Sequence, residues 1–486
     1  MPRPSWRHLL APAEEYRLTA GLFLRLLALI YLAAFLSLWP QIDGLAGPQG
    51  ILPLAERLDW LRQRHGALAW LHFPSLFWLT QSGAALRATA LAGAALSLAM
   101  ALLPPSRLAF ALLFAAYLSL VHAGGLFMNF QWDYLLLESG FLAVFLVGGP
   151  PRVIVWLLRW LLFRLRFLSG VSKLLSGDPS WSLASLTAVY HYFEVQPLPH
   201  VGGWYAHLLP LWMHKLGAAG TLFIEIVVPF LMFATRRARF LAAWLTILLQ
   251  VLIIATSNHN WINLLTIVLC LFLFDDRALR RVLPARAGAL AVTPARPRLT
   301  RPLALAAALL VAPLTAGYLW LFFAGRPAAL PAPVQATLRA VQPWHVVHNY
   351  HVFPTMKTER IEVLVEGSRD GRNWRPYRFR YKPDDPAKPL RFIVPHQPRL
   401  DWMMWFVPMG HPVNQRWFAA FLDRLLDNAP PVTALLADNP FADAPPRYLR
   451  LTAWRYRFTT PRERAAGGHW WRRERLGLFP PGYWPP

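Results

Sequence analysis

Seven ionisable residues lie inside long apolar runs: Arg25, Asp133, Glu138, Arg159, Arg164, Arg166 and Glu225. A charge in hydrocarbon costs several kcal/mol, so such groups are tolerated in a bundle interior or a wet cavity, where they find partners. Arg152, Arg159 and Arg166 fall seven apart, on one helix face, within reach of Glu138 and Glu225 on neighbouring helices. Asp133, Glu138, Arg159, Arg166 and Glu225 are therefore expected to be buried and paired.

A second group has types suited to catalysis. The polar, aromatic stretch from Ser169 to His214 holds Lys173, Trp181, His191, Tyr192 and Glu194. A desolvated lysine at a helix end has a lowered pKa and serves as a base or Schiff-base amine, with His191, Asn258 and His259 orienting a substrate. On spacing alone the same lysine better suits a plain anchoring role at the membrane edge. His191, His200, His207 and His214 stand nine, seven and seven apart, a spacing that fits no compact metal signature. No metal and no cofactor are expected, and there is no Gly-rich phosphate loop or Gly-x-Ser-x-Gly elbow. Asn129 to Asp133 and Ser257 to Trp261 fill short connections, where they either line an outer pocket or cap the following helices.

The elements that must position these groups are membrane helices. Of 486 residues, 56% are hydrophobic and 15% charged, against about 25% charged in soluble domains, and the mean hydropathy is +0.33. Apolar stretches predict nine spans, near 20–39, 84–103, 108–127, 133–148, 153–172, 217–234, 240–256, 260–274 and 302–323. The net charge of +24 reads as membrane topology and not as nucleic-acid binding, because many arginines sit in short connections such as Arg236, Arg237 and Arg239. With the N-terminus inside, fifteen basic residues fall on the inner side and five on the outer. Membrane lipids are thus expected partners, and the C-terminal region is expected on the outer face. The basic start of the chain has no small-residue cleavage signature, so the first span is read as retained. Residues 40–83, with Trp60, Trp70 and Trp78, read as interfacial or re-entrant helices with an aromatic belt. The single cysteine, Cys270, rules out an intrachain disulfide or a Cys-x-x-Cys pair.

Residues 1–323 therefore form a multipass domain, 324–333 a Pro/Ala-rich linker, and 334–486 an outer domain. In the last, Ile361 to Glu366 alternates as a strand, Ser368 to Arg372 is a turn around Asp370-Gly371, and Phe379, Tyr381 and Leu390 to Val394 suggest further strands. Asn414 to Asp427 has helical spacing and Tyr448 to Phe458 reads as a long strand, followed by a Pro-rich tail at Pro480 to Pro486. Together these predict a small β-sandwich-like module with one helical insertion.

The run Arg391 to Trp402, followed by Met403-Met404-Trp405-Phe406, resembles the C-terminal domain of the lipase maturation factor family. The resemblance extends to Asn349 to Met356, Arg447-Tyr448-Leu449 and Trp470 to Arg473, and into the membrane half at Gln131 to Phe141, Ser169 to Leu174 and Tyr190 to Pro197. It covers nearly the whole chain. It implies a multipass protein, of the endoplasmic reticulum membrane in animals and the inner membrane in a bacterium, whose outer domain assists folding and dimer assembly of secreted lipases. The scarcity of cysteine departs from a picture in which thiol redox contributes. The membrane half is also distantly similar to the transmembrane region of vitamin K-dependent gamma-carboxylases, in which a Gly-Val-x-Lys-Leu run with a downstream Trp carries a lysine proposed as the catalytic base. Gly170 to Leu174 and Trp181 match it here.

Two functional readings follow. In the first, a chaperone presents Trp402, Met403, Met404, Trp405 and Phe406, flanked by His396 and Arg399, to a secreted lipase or other secreted client. The same residues are also candidates for a domain core or a bilayer contact. In the second, an integral-membrane enzyme uses Lys173 as base on a lipid- or quinone-like substrate.

Overall fold

The computed structural model describes residues 9–293, 297–325 and 330–480. The start of the chain (1–8), residues 294–296, the centre of the linker (326–329) and the end of the Pro-rich tail (481–486) lie outside the described residues.

The apolar runs fold as helices, the last of them across Pro302 and Pro313, and the more polar Leu54–His65 does so too. In chain order the main ones are α1 (Arg17–Leu38), α2 (Leu54–His65), α3 (Gly83–Leu102), α4 (Arg107–Gly124), α5 (Gln131–Ala143), α6 (Arg152–Leu175), α7 (Leu211–Ile226), α8 (Arg236–Thr256), α9 (Ile262–Leu269) and α10 (Pro297–Ala324). Six stretches among the described residues are long and apolar enough to cross a membrane: Glu14–Leu38, Gly83–Leu102, Arg107–Met128, Leu211–Leu231, Arg236–Thr256 and Arg301–Ala324. The other three expected spans differ in kind. α5 has 13 residues, α9 has 8, and α6 has 24 but carries Arg152, Arg159, Arg164, Arg166 and Lys173. They form the middle of the bundle, where Leu135, Leu136, Leu158, Leu161 and Leu265 are fully enclosed. Small residues let the helices close up: a Cβ on Gly93 would lie 2.5 Å from the Phe35 ring, and one on Gly140 would collide with the Tyr31 hydroxyl.

Polar ties mark the two ends of this bundle. At one end the Leu18 and Thr19 amides donate to the Asp276 carboxylate (2.9 Å each), Ala13 N–H donates to Pro150 O (2.8 Å), and Arg107 donates to the Val147 carbonyl (2.7 Å). Arg236 grips Asp275 at the same end (2.5 and 2.8 Å). At the opposite end Arg57 reaches the His122 carbonyl (3.2 Å), and Gln196 donates to that of Thr256 (3.1 Å).

The C-terminal domain sits on this second end. α11 (Ala332–Val341) first turns back onto α10, with Leu338 packed among Val311 and Leu314. Four antiparallel strands then form one sheet, β1 (Arg360–Ser368), β2 (Arg375–Pro376), β3 (Tyr448–Phe458) and β4 (Trp471–Leu478), in the order β2-β1-β3-β4. Arg360 pairs with Tyr456 and Ser368 with Tyr448 across β1 and β3. This single sheet replaces the expected sandwich, because the second layer is helical: α12 (Arg399–Met404) and α13 (Pro412–Leu426) pack with Val363, Val365 and Phe379. The strands expected at Phe379, Tyr381 and Leu390 to Val394 are irregular chain. Side chains satisfy their amides instead of a ladder: Phe379 N–H donates to Asp384 (2.6 Å), Tyr381 N–H to Asp401 (2.6 Å) and Ile393 N–H to Asn258 (2.9 Å).

Candidate functional site

Most residues singled out from the sequence lie at the seam between the bundle end and the C-terminal domain, whereas Arg25 and Arg159 bond elsewhere, to the Leu290 and Phe272 carbonyls. Asp133, in the first turn of α5, is fully enclosed, and Arg399, in the first turn of α12, enters from the other domain. The guanidinium holds both carboxylate oxygens (2.7 and 2.8 Å) and the Phe127 carbonyl (3.1 Å), while the Tyr117 hydroxyl donates to Asp133 (2.5 Å). A planar fork facing a planar carboxylate makes this a strong, directional pair.

Glu138 lies one turn deeper. It pairs with Arg164, accepts from the Tyr350 hydroxyl (2.8 Å) and meets the His348 amide (3.3 Å), and Arg164 also donates to the His348 carbonyl (2.7 Å). The third cluster is Arg166, Glu225 and Lys173: Glu225 takes Arg166 on one oxygen and Lys173 on the other, both at 2.7 Å. The Lys173 amine also donates to the carbonyls of Ser169 (3.1 Å) and Val352 (2.9 Å), the latter from the C-terminal domain, and it lies over the Trp181 ring. Three acceptors use all three of its donors.

The pairing expected from the seven-residue spacing is thus corrected. Only Arg166 of that row reaches an acidic partner within the bundle; Arg159 donates to the Phe272 carbonyl (2.8 Å) and to the Tyr16 hydroxyl, and Arg152 meets Glu15 at the bundle's other end (3.2 Å). Arg164, which lies off that row, is the partner of Glu138.

The residues of the enzyme reading are taken up in the same seam. Asn258 donates to the carbonyls of Leu198 (3.0 Å) and Arg391 (2.8 Å) and accepts from Ile393, so its amide clamps the 391–393 strip. His259 bonds the Tyr192 hydroxyl and packs edge-on to Phe353 and Trp402. His191 stands apart, its ring against Tyr190. Lys173, Asn258 and His259 each make contacts that tie the seam together, and His191 makes none of these.

The apolar patch is internal. Trp402, Met403 and Met404 are buried, and Trp402 packs edge-on to Trp132 of α5 at 5.0 Å between ring centroids. Trp405 and Phe406 are half-buried; the Trp405 indole N–H donates to the Val195 carbonyl (2.7 Å), and Phe406 stacks on Phe130. His396 is held to the Ser37 hydroxyl at the end of α1 (3.0 Å), and Gln41 takes the Arg399 amide (2.7 Å). The apolar types are here because the joint excludes water, not because they face it.

Sequence reasoning missed two further ties. Arg360 is buried and donates to the carbonyls of Glu194, Gln196 and Pro197, while Glu362 bridges it to Lys382 (2.6 and 2.7 Å). The signal was present as two opposite charges, Arg360 and Glu362, two residues apart on one face of β1. The other is His345–His348, whose facing ring nitrogens lie 2.8 Å apart with both rings stacked on Tyr134.

This histidine pair makes the seam acid-sensitive. Burial pushes His345 down to about 4, and burial together with His345 and Arg164 holds His348 well below its usual value. The unfolded chain therefore binds protons first, near the ordinary histidine pKa of about 6.5. Stability is full above that value and falls as the pH drops from about 6.5 towards 4. Thermal unfolding in detergent is expected to shift down over this window, and a His345→Gln/His348→Gln variant is expected to show a shallower slope.

These ties define the class: a multipass helical membrane scaffold with its C-terminal domain locked onto one end. The chain belongs to the lipase maturation factor family. The model of the lipase maturation factor transmembrane domain matches residues 18–281, and that of the lipase maturation factor C-terminal domain matches residues 346–481. Lipase maturation factor 2 of Homo sapiens is 34% identical over 589 residues, covering 96% of this chain and 82% of the human protein. Lipase maturation factor 1 of Bos taurus is 34% identical over 516 residues, covering 96% and 90%. No solved structure matches.

Proposed function

We propose that this chain assists the folding and assembly of secreted lipases at the extracytoplasmic face of its membrane, with the C-terminal domain held rigidly above the bilayer as the working platform. The observation that carries this reading is the seam itself. The buried acids Asp133 and Glu138 on α5 and Glu225 on α7 join the domain to the bundle, Asp133 through Arg399, Glu138 through Tyr350 and His348, and Glu225 through Lys173, which donates to the Val352 carbonyl; this suits a platform of fixed geometry better than a tethered module. Trp402 to Phe406 serve the client indirectly, by seating the domain.

The nine-passage topology belongs to the same proposal. α1, α4 and α8 all end at the domain-bearing face; α5 and α6 pass as a pair and leave the direction of α7 unchanged, whereas α10 ends at that face only if α9 with its extension to Leu273 also traverses the bundle. Arg159 on α6 bonds Phe272 beyond α9, in line with such antiparallel passages. The end carrying Arg107, Arg152, Arg236, Arg237, Arg239, Arg277, Arg280 and Arg281 is then cytoplasmic.

The test is secretion of active lipase from a deletion strain complemented by the full chain or by a chain ending at Gly325. The full chain is expected to restore secretion and the shortened one is not; restoration by both would overturn the platform reading. In the same cells a membrane-impermeant thiol reagent should label a cysteine placed at Asn373 and spare one placed at Arg281.

A further inference from the structure

A cleft of about 210 Å³ on the C-terminal domain is lined by Arg380, Tyr381, Lys388, Arg391 and Ala437. Its charges are differently committed. Lys388 is spent on Asp384 (2.6 Å) and two carbonyls. Arg380 is pre-positioned, its Nε and one terminal nitrogen donating to the carbonyls of Leu435 and Ala434 (3.2 and 2.9 Å), which leaves the other terminal nitrogen for a ligand. The Arg391 side chain is exposed and has no acidic partner among the described residues. The result is two arginines and a tyrosine around a hollow whose lining includes no carboxylate, a donor set that matches a phosphate group.

The cleft's position narrows the source of that phosphate. The Arg391 carbonyl is held by Asn258, two residues beyond the end of α8, and the Tyr381 ring packs at 5.4 Å on His396, which Ser37 holds at the end of α1. The cleft thus lies directly above the ends of two apolar helices long enough to cross the membrane. Trp39, immediately after α1, and Phe392, beside Arg391, are exposed at this level, as aromatic side chains are at a bilayer interface.

We propose that this cleft binds the phosphate headgroup of an anionic phospholipid in the adjacent leaflet, through Arg380 and Arg391. The inference does not depend on the client reading. The test uses the full chain in neutral detergent, with unfolding midpoints measured against added phosphatidylglycerol, phosphatidylcholine or inorganic phosphate. Phosphatidylglycerol is expected to raise the midpoint above phosphatidylcholine, and Arg380→Gln and Arg391→Gln are each expected to weaken the apparent affinity about fivefold. Equal effects of the two lipids, or a preference unchanged in the variants, would overturn the site. An equal effect of inorganic phosphate would overturn the lipid assignment. Since the exposed Arg391 guanidinium ties no other element down, its variant keeps the fold, and the comparison remains readable even if Arg380→Gln does not fold.

Discussion

Replacing Arg399 with leucine is expected to cost about 3–5 kcal/mol and to release the C-terminal domain from the bundle. The size follows from what is left behind. Asp133 is fully enclosed and loses both hydrogen bonds from the guanidinium, keeping only the Tyr117 hydroxyl. A carboxylate stranded this way has neither water nor a counter-charge, and the Phe127 carbonyl loses its donor as well. Arg399→Lys should fall between, because an ammonium supplies the charge without the two-pronged geometry. Adding Asp133→Asn to the leucine variant should recover part of the loss by removing the buried charge. Limited proteolysis of the purified protein is the readout: the parent should resist cutting between the two halves, and Arg399→Leu should be cut there. Parent-like resistance in Arg399→Leu would mean that the apolar contacts alone hold the seam.

How much of this was legible beforehand depended on whether a signal was local. Long apolar runs specify helices by themselves, so the six long stretches and the amphipathic α13 were readable at once. The sheet was half readable: β1 and β3 alternate and carry strand-forming residues, but Leu390 to Val394 does too, and only Asn258, far away in the chain, decides that its amides meet a side chain. Burial of the charged residues was likewise predictable from their apolar surroundings, whereas their partners were not. A spacing of seven puts Arg152, Arg159 and Arg166 on one face, yet Glu138 is met by Arg164 from a different face, because the C-terminal domain brings Tyr350 and His348 to that side. The stretch from Trp402 to Phe406 shows the same limit. α12 has six residues, too few for a period to reveal which side is covered, and exposed and buried aromatic clusters have the same composition.

The second large effect discriminates between the two roles that Lys173 invites. Glu225→Gln leaves Arg166 and Lys173 facing each other in a buried site with no counter-charge, and is expected to cost about 3–5 kcal/mol. Lys173→Met should cost less, about 1–3 kcal/mol, because Glu225 keeps Arg166 at 2.7 Å and the loss is confined to the unmet carbonyls of Ser169 and Val352. A structural lysine therefore predicts that stability and lipase secretion fall together, with Glu225→Gln the more severe. A lysine acting as a base predicts the reverse pattern: Lys173→Met would abolish function while its unfolding midpoint stayed near that of the parent. The two variants, compared for unfolding midpoint in detergent and for secreted lipase activity in cells, separate these cases. The geometry favours the first, since an ammonium that donates to a carboxylate and two carbonyls has no free lone pair, and it must give up a proton and one of these bonds before it can act as a base.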